Sequence, residues 1–189
     1  MHKSGADEFS IDKIMGQIQQ QLQGRVKSRD IYQLAFTLLK QKSKCCAGRY
    51  RLKQGLFDLG PSGYPFEQFV AKLFERKGYR TETGKIMEGA CVKHEVDVVA
   101  AHSHYRLMIE CKFHNSPGVS SDVKTPLYIH SRFRDLVAHY NHSTQDPLPF
   151  KEGWVVTNTR FTSDAIQYGH CAGLQLMSWD YPLGQNLKE

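Results

Sequence analysis

The sequence predicts an α/β fold, a mixed sheet flanked by helices, preceded by a small all-α module. Three features of the 189 residues point there. Apolar residues recur at helical spacing through residues 11–59, Gly60-Pro61-Ser62-Gly63 interrupts the pattern, and short strand-like runs then alternate with helical ones. The expected division is a helical module at residues 1–60 and an α/β domain at residues 61–189.

In the module, Ile11, Ile14, Met15, Ile18 and Leu22 mark one helix, and Ile31, Leu34, Ala35, Leu38 and Leu39 a second, with Ser28 as its expected N-cap. A third helix is expected over residues 47–59, stopped by Gly60 and Pro61. Beyond the break, Phe66, Phe69, Val70, Leu73 and Phe74 form an amphipathic stripe that Gly78 should end. Strands are expected at 80–87, 94–101 and 105–114. Thr125-Pro126 reads as a cap and first turn, opening a helix with Ile129, Phe133, Leu136, Val137 and Tyr140 inward. A loop at 141–151, with Pro147 and Pro149, should end it. A strand at 154–158, a helix capped by Thr162 and stopped by Gly173, and a strand at 174–179 complete the order, with the tail from Gly184 frayed.

With 40% hydrophobic and 23% charged residues the composition is globular, and no run approaches the roughly 18–20 apolar residues of a membrane span. No membrane is expected as a partner. The first residues carry no apolar stretch after Lys3, so a secretory signal is not expected and a cytoplasmic location is. Five cysteines without a CxxC pair argue for free thiols, with Cys91, Cys111 and Cys171 expected in the core. His102 with His104, and His139 with His142, lack partners at zinc-ligand spacing.

Charge is uneven. Residues 24–53 carry nine Lys or Arg against the single acid Asp30, an excess of eight in a chain whose net charge is +6. Such clustering suits a polyanion through counterion release, and a set of solvated helix faces is the alternative.

The strand at 105–114 holds the chemistry. Side chains alternate, so Leu107, Ile109, Cys111 and Phe113 face one way as core, while Glu110, Lys112 and His114 face the other. Charges within a sheet cost several kcal/mol unless paired or bound to metal. Asp97 likewise interrupts Val96, Val98 and Val99. On adjacent antiparallel strands Asp97 and Glu110 would converge on one hard cation, with the Cys111 carbonyl as a further ligand and Lys112 placed to orient or deprotonate water.

Asp97, twelve intervening residues and then Glu110-Cys111-Lys112 resemble the PD-(D/E)XK nuclease signature, and the surroundings resemble Mrr-like restriction endonucleases and archaeal Holliday-junction resolvases. Pro65-Phe66-Glu67 resembles the family's helical acidic residue. Thr157-Asn158-Thr159-Arg160-Phe161-Thr162 with Ala165 resembles its later strand-turn-helix. The resemblance spans residues 62–182 and implies a restriction-endonuclease-like fold and a Mg²⁺- or Mn²⁺-dependent DNA endonuclease. Asp97 and Glu110 would be metal ligands, Lys112 the catalytic lysine and Glu67 an accessory ligand or water-positioner. Val96 stands where the family usually has proline, and Glu95, on the strand face of Asp97, competes with Glu67 as the additional acid.

In such a nuclease the polar stripe Tyr128, Arg132 and Asp135, with Lys124 just before it, would face the cleft and hold phosphates, a solvated surface being the alternative, and His114 would join Lys124, Tyr128 and Arg132 in contacting DNA or else hydrogen-bond the loop after it. The N-terminal module resembles a shortened ATP-cone through Lys3-Ser4-Gly5, Asp12-Lys13-Ile14, Ser28-Arg29-Asp30-Ile31-Tyr32 and Ala47-Gly48-Arg49-Tyr50. That resemblance implies ATP or dATP as a ligand, with Lys3 near phosphate. A homodimer is expected because two DNA strands must be cut. The rival expectation is a catalytically silent nucleic-acid-binding or nucleotide-responsive regulatory protein.

Overall fold

A computed structural model describes residues 1–22, 24–141 and 148–189, the side chain of Lys3 excepted. Lys3 as a nucleotide contact, His142 and the loop residue Pro147 therefore lie outside the described residues or atoms. The chain divides into two compact units, Met1–Gly55 and Leu56–Glu189.

In the first unit a 3-10 turn, His2–Ser4, ends at Gly5, whose φ of 80° is left-handed. α1 (Glu8–Gln21) is capped by Asp7, which accepts the Ser10 N–H at 2.8 Å. α2 (Ser28–Lys42) opens from Lys27, whose extended backbone presents the first carbonyl; Ser28 is therefore the first helical residue and not the cap. α3 (Lys44–Phe57), whose last two residues belong to the second unit, begins three residues before the expected start because Ser43 Oγ accepts the Cys46 N–H at 3.2 Å. Ile14, Ile18, Ala35, Leu38, Leu39 and Ala47 form the core between these helices.

The second unit is built on a five-stranded sheet. α4 (Tyr64–Arg76), with Pro65 in its first turn, buries Phe66, Val70, Ala71 and Phe74 and runs out at Gly78, φ 91°. The strands are β1 (Arg80–Glu88), β2 (Lys93–Ala101), β3 (Arg106–Lys112), β4 (Ser120–Ser121), β5 (Phe150–Thr157), β6 (Arg160–Phe161) and β7 (Gln175–Met177), with α5 (Lys124–Tyr140) and α6 (Ser163–Cys171) between them. The main sheet runs β1-β2-β3-β5-β7: antiparallel through β1, β2 and β3, parallel through β3, β5 and β7. β4 and β6 form a separate parallel pair. This is the mixed sheet flanked by helices that the sequence predicts.

β3 lies at the centre, so both of its faces are buried from Arg106 to Glu110. Met108 packs with Val96, Val155, Ile129 and Leu136 beneath α5, and Glu110 follows it on that face. The expected bare chemical face is thus half core: only the last residues of β3 emerge. At Gly153 a Cβ would meet the Phe133 ring and Leu174 at 2.9 Å, so glycine lets α5 and the chain before β7 close on the sheet.

Other details differ from expectation for local reasons. Thr125 is not the cap of α5; the helix starts at Lys124, whose N–H donates to Asp122 Oδ1 at 3.1 Å. Thr162 does cap α6, accepting from the Ala165 N–H at 3.3 Å. β5 begins four residues early because parallel pairing with β3 recruits Phe150 to Gly153. Of the three cysteines expected in the core, Cys91, in the β1–β2 connection, and Cys171, at the end of α6, are exposed, and Cys111 is half-buried. The tail is tied down, with Leu187 buried and its N–H bonded to the Ser178 carbonyl at 3.0 Å.

Candidate active site

The β2–β3 ladder stops at Val98 opposite Ile109. One step further would set Asp97 against Glu110. There the Cys111 N–H turns to the Asp97 carboxylate instead, donating to Oδ2 at 2.7 Å. The adjacent, antiparallel strands bring the two acids to one end of the sheet, beside a cleft of about 410 Å³. β2 and β3 contribute Asp97, Glu110, Cys111 and Lys112 to its walls, and α5 contributes Lys124, Tyr128 and Arg132.

Arg132 reaches from α5 onto Glu110, with Nη1 2.5 Å from Oε2 and 3.0 Å from the Glu95 carbonyl oxygen. Its Nη2 donates to the Tyr128 hydroxyl at 2.5 Å, and the guanidinium lies 4.9 Å from the centre of that ring. Glu110 is only 6% exposed. Its other oxygen, Oε1, is buried without a hydrogen-bond partner, and so is Arg132 Nε.

Burial, then the Asp97 charge, push the Glu110 carboxyl up to about 7 against the opposing pull of Arg132. Asp97 is raised by burial, although the Cys111 N–H and Arg132 work the other way. Glu67, half-buried in the first turn of α4, is raised by burial and by the charges of Asp97 and Glu95. Burial pushes the Cys111 thiol well up, and the three nearby carboxylates add to it. Arg132 is held above its ordinary value: burial opposes its charge, and the Glu110 carboxylate outweighs that. Among the described residues no group of three or more His, Cys, Asp or Glu side chains is arranged to hold a metal.

Two expected cleft residues are engaged elsewhere. His114 Nε2 lies 3.0 Å from Ser121 Oγ, and its backbone is bracketed by Asn158, which accepts the His114 N–H and donates to its carbonyl, each at 2.9 Å. Asp135 points from α5 into the β1–β2 connection, accepting the Cys91 and Val92 N–H groups at 2.8 and 3.3 Å and lying 2.8 Å from His94 Nε2. These contacts, His94 foremost, pull Asp135 down to about 2. The connection can wrap the carboxylate because Gly89 has no Cβ, which would sit 2.0 Å from Asp135 Oδ2. Asp135 therefore leaves the cleft stripe to Lys124, Tyr128 and Arg132. Asn158, fully buried, was missed as a supporting residue; its place directly after β5 was the available signal.

A five-stranded mixed sheet flanked by helices, with acidic residues gathered at the end of its central strand, defines a restriction-endonuclease-like fold. Residues 61–181 match the family described as restriction endonuclease, Mrr_cat, and the chain belongs to that family. An uncharacterized protein of Archaeoglobus fulgidus is 41% identical over 113 residues, 60% of this chain and 59% of its own length. The crystal structure of a protein of unknown function, AF1548, superposes with a TM-score of 0.60 at 38% identity, over 67% of this chain and 64% of that one. The chain thus spans about three fifths of the length of these relatives. MspJI restriction endonuclease, in complex with a 27-mer oligonucleotide, is similar at a TM-score of 0.42 and 15% identity, over 83% of this chain and 32% of its own. No helix among the described residues is long and apolar enough to cross a membrane.

Proposed function

We propose that the chain is a metal-dependent DNA endonuclease that hydrolyses phosphodiester bonds at the Asp97, Glu110 and Lys112 end of the sheet. The observation that carries this reading is Glu110 Oε1, a buried carboxylate oxygen without a partner, beside the second carboxylate of Asp97. Burying such an oxygen is costly, and a hard cation is the group that would satisfy both acids. The donor set therefore fits Mg²⁺ or Mn²⁺, with Asp97, Glu110 and the Cys111 carbonyl as ligands. When bound, such an ion polarises the phosphodiester and acidifies a bound water.

The other groups supply positioning. Lys112, exposed where β3 leaves the sheet, orients the attacking water and neutralises charge that develops on the phosphate. Lys124, Tyr128 and Arg132 give the α5 wall two cations and a hydroxyl for the flanking phosphates. Glu67 positions water from the α4 side, where its raised carboxyl lies within the field of Asp97. Two copies of the chain would cut the two strands of a duplex.

The test is cleavage of plasmid and branched DNA with and without Mg²⁺. Cleavage that needs the ion and disappears in Glu110→Gln supports the reading. Cleavage that survives chelation, or that survives Glu110→Gln, removes it.

A further inference from the structure

We infer that Arg132 is a resident counter-cation of the site, which must leave Glu110 when a divalent ion enters and whose departure frees its guanidinium for the substrate phosphate. The inference rests on the metal reading above and adds to it an exchange between two mutually exclusive occupants.

The contact is made like a placeholder. A structural arginine–carboxylate pair is commonly bidentate, two parallel N–H groups on two oxygens. Here one nitrogen, Nη1, meets one oxygen, Oε2, and must also serve the Glu95 carbonyl. The neighbouring Nε–H and the second oxygen, Oε1, are both buried and both unpartnered. The pair thus leaves one orphan on each side, and a further partner for each would complete it. Each orphan suits a different partner: Oε1 suits a cation, and the Nε–H a phosphate oxygen.

Electrostatics forbid joint occupancy in the present pose. The guanidinium and a divalent ion on Glu110 would be like charges within a few ångströms, in a place where burial leaves little water to screen them. Tyr128 marks the path outward. It lies four residues earlier on α5, is 61% exposed, and holds the other arm of the guanidinium through its hydroxyl and ring face. An Arg132 released from Glu110 stays tethered at the cleft wall that Lys124 and Tyr128 share.

The experiment is Mn²⁺ titration of the full chain without DNA, following free Mn²⁺ by its paramagnetic resonance, in wild type, Arg132→Gln, Arg132→Lys and Glu110→Gln. Exchange makes Arg132→Gln bind Mn²⁺ about tenfold more tightly than wild type, since a competing charge is gone. Arg132→Lys should stay near wild type because it keeps that charge. Unchanged or weaker binding in Arg132→Gln, with wild type binding normally, overturns the exchange and leaves the metal site standing. If binding in wild type is absent, or is not reduced in Glu110→Gln, the metal reading itself fails and the exchange with it. Thermal melting of each variant, taken alongside, separates a lost fold from a lost site: a weakened but unfolded Arg132→Gln is replaced by Arg132→Met, for which the same tightening is required.

Discussion

Asp97 holds the backbone of Cys111: its Oδ2 accepts the Cys111 N–H at 2.7 Å, one step past the last β2–β3 pair. The carboxylate therefore fixes the end of β3 as well as facing the cleft. Asp97→Ala leaves a backbone donor without its acceptor, which costs about 1–3 kcal/mol, so this variant should lose activity and some stability together. Lys112 is exposed and carries no such duty. Lys112→Ala should abolish cleavage with an unchanged melting temperature; a variant that still cuts plasmid DNA would remove the lysine from the reaction.

Glu110 sets a dependence on pH. Its carboxyl is raised from 4.5 to about 7, so between those values the folded chain binds a proton that the unfolded chain has released. Its contribution to stability therefore falls as pH rises through that window, and the penalty is complete above about 7. Urea unfolding from pH 5 to 8 should show Glu110→Gln gaining on wild type as pH rises. A constant difference between the two across the series would contradict the raised carboxyl. Metal binding below pH 7 should also release a proton, readable by calorimetry in buffers of different ionisation enthalpy.

Asn158 joins the exit of β3 to that of β5. Both of its bonds go to the His114 backbone, two residues beyond Lys112. Asn158→Ala strips the partners from the N–H and the carbonyl of His114, both part-buried, and should cost about 2–3 kcal/mol in urea unfolding. Because the same bonds steady the strand end that carries Lys112, cleavage should fall under conditions where the variant remains folded.

The basic segment of the first unit gives a salt dependence. Lys40, Lys42 and Lys44 are exposed near the junction of α2 and α3. If they touch phosphate, replacing all three by glutamine in a Lys112→Ala background should flatten the slope of log affinity against log salt by roughly 2.7. An identical slope would make them a solvated helix face.

The acids were legible in the sequence because each interrupts an apolar strand, a local pattern that pairing of the strands only had to bring together. The helices of both units were legible from their stripes. Arg132 was readable as a cleft residue, but its hold on Glu110 was not, since that depends on how far α5 lies over the sheet. The same helix misled at Asp135: its spacing from Arg132 continues the polar stripe, but the far turns of α5 overlie the β1–β2 connection, whose free N–H groups claim the carboxylate. Phe150 to Gly153 carries no alternating pattern, and only pairing with β3 makes it a strand. Leu187 gave too short an apolar signal to reveal an anchored tail.

β3 has an antiparallel neighbour on one side and a parallel neighbour on the other. The parallel pairing ends with Lys112 beside Thr157, so two segments of chain leave the sheet side by side at the end that carries the acids. Lengthening either exit leaves in place the β2–β3 pairing that brings Asp97 to the end of β3. The hairpin on the opposite flank has no such freedom, because the loop that closes it is wrapped around Asp135. An insertion after β3 or β5 would therefore add chain beside the acidic end of the sheet and leave the acids themselves in place.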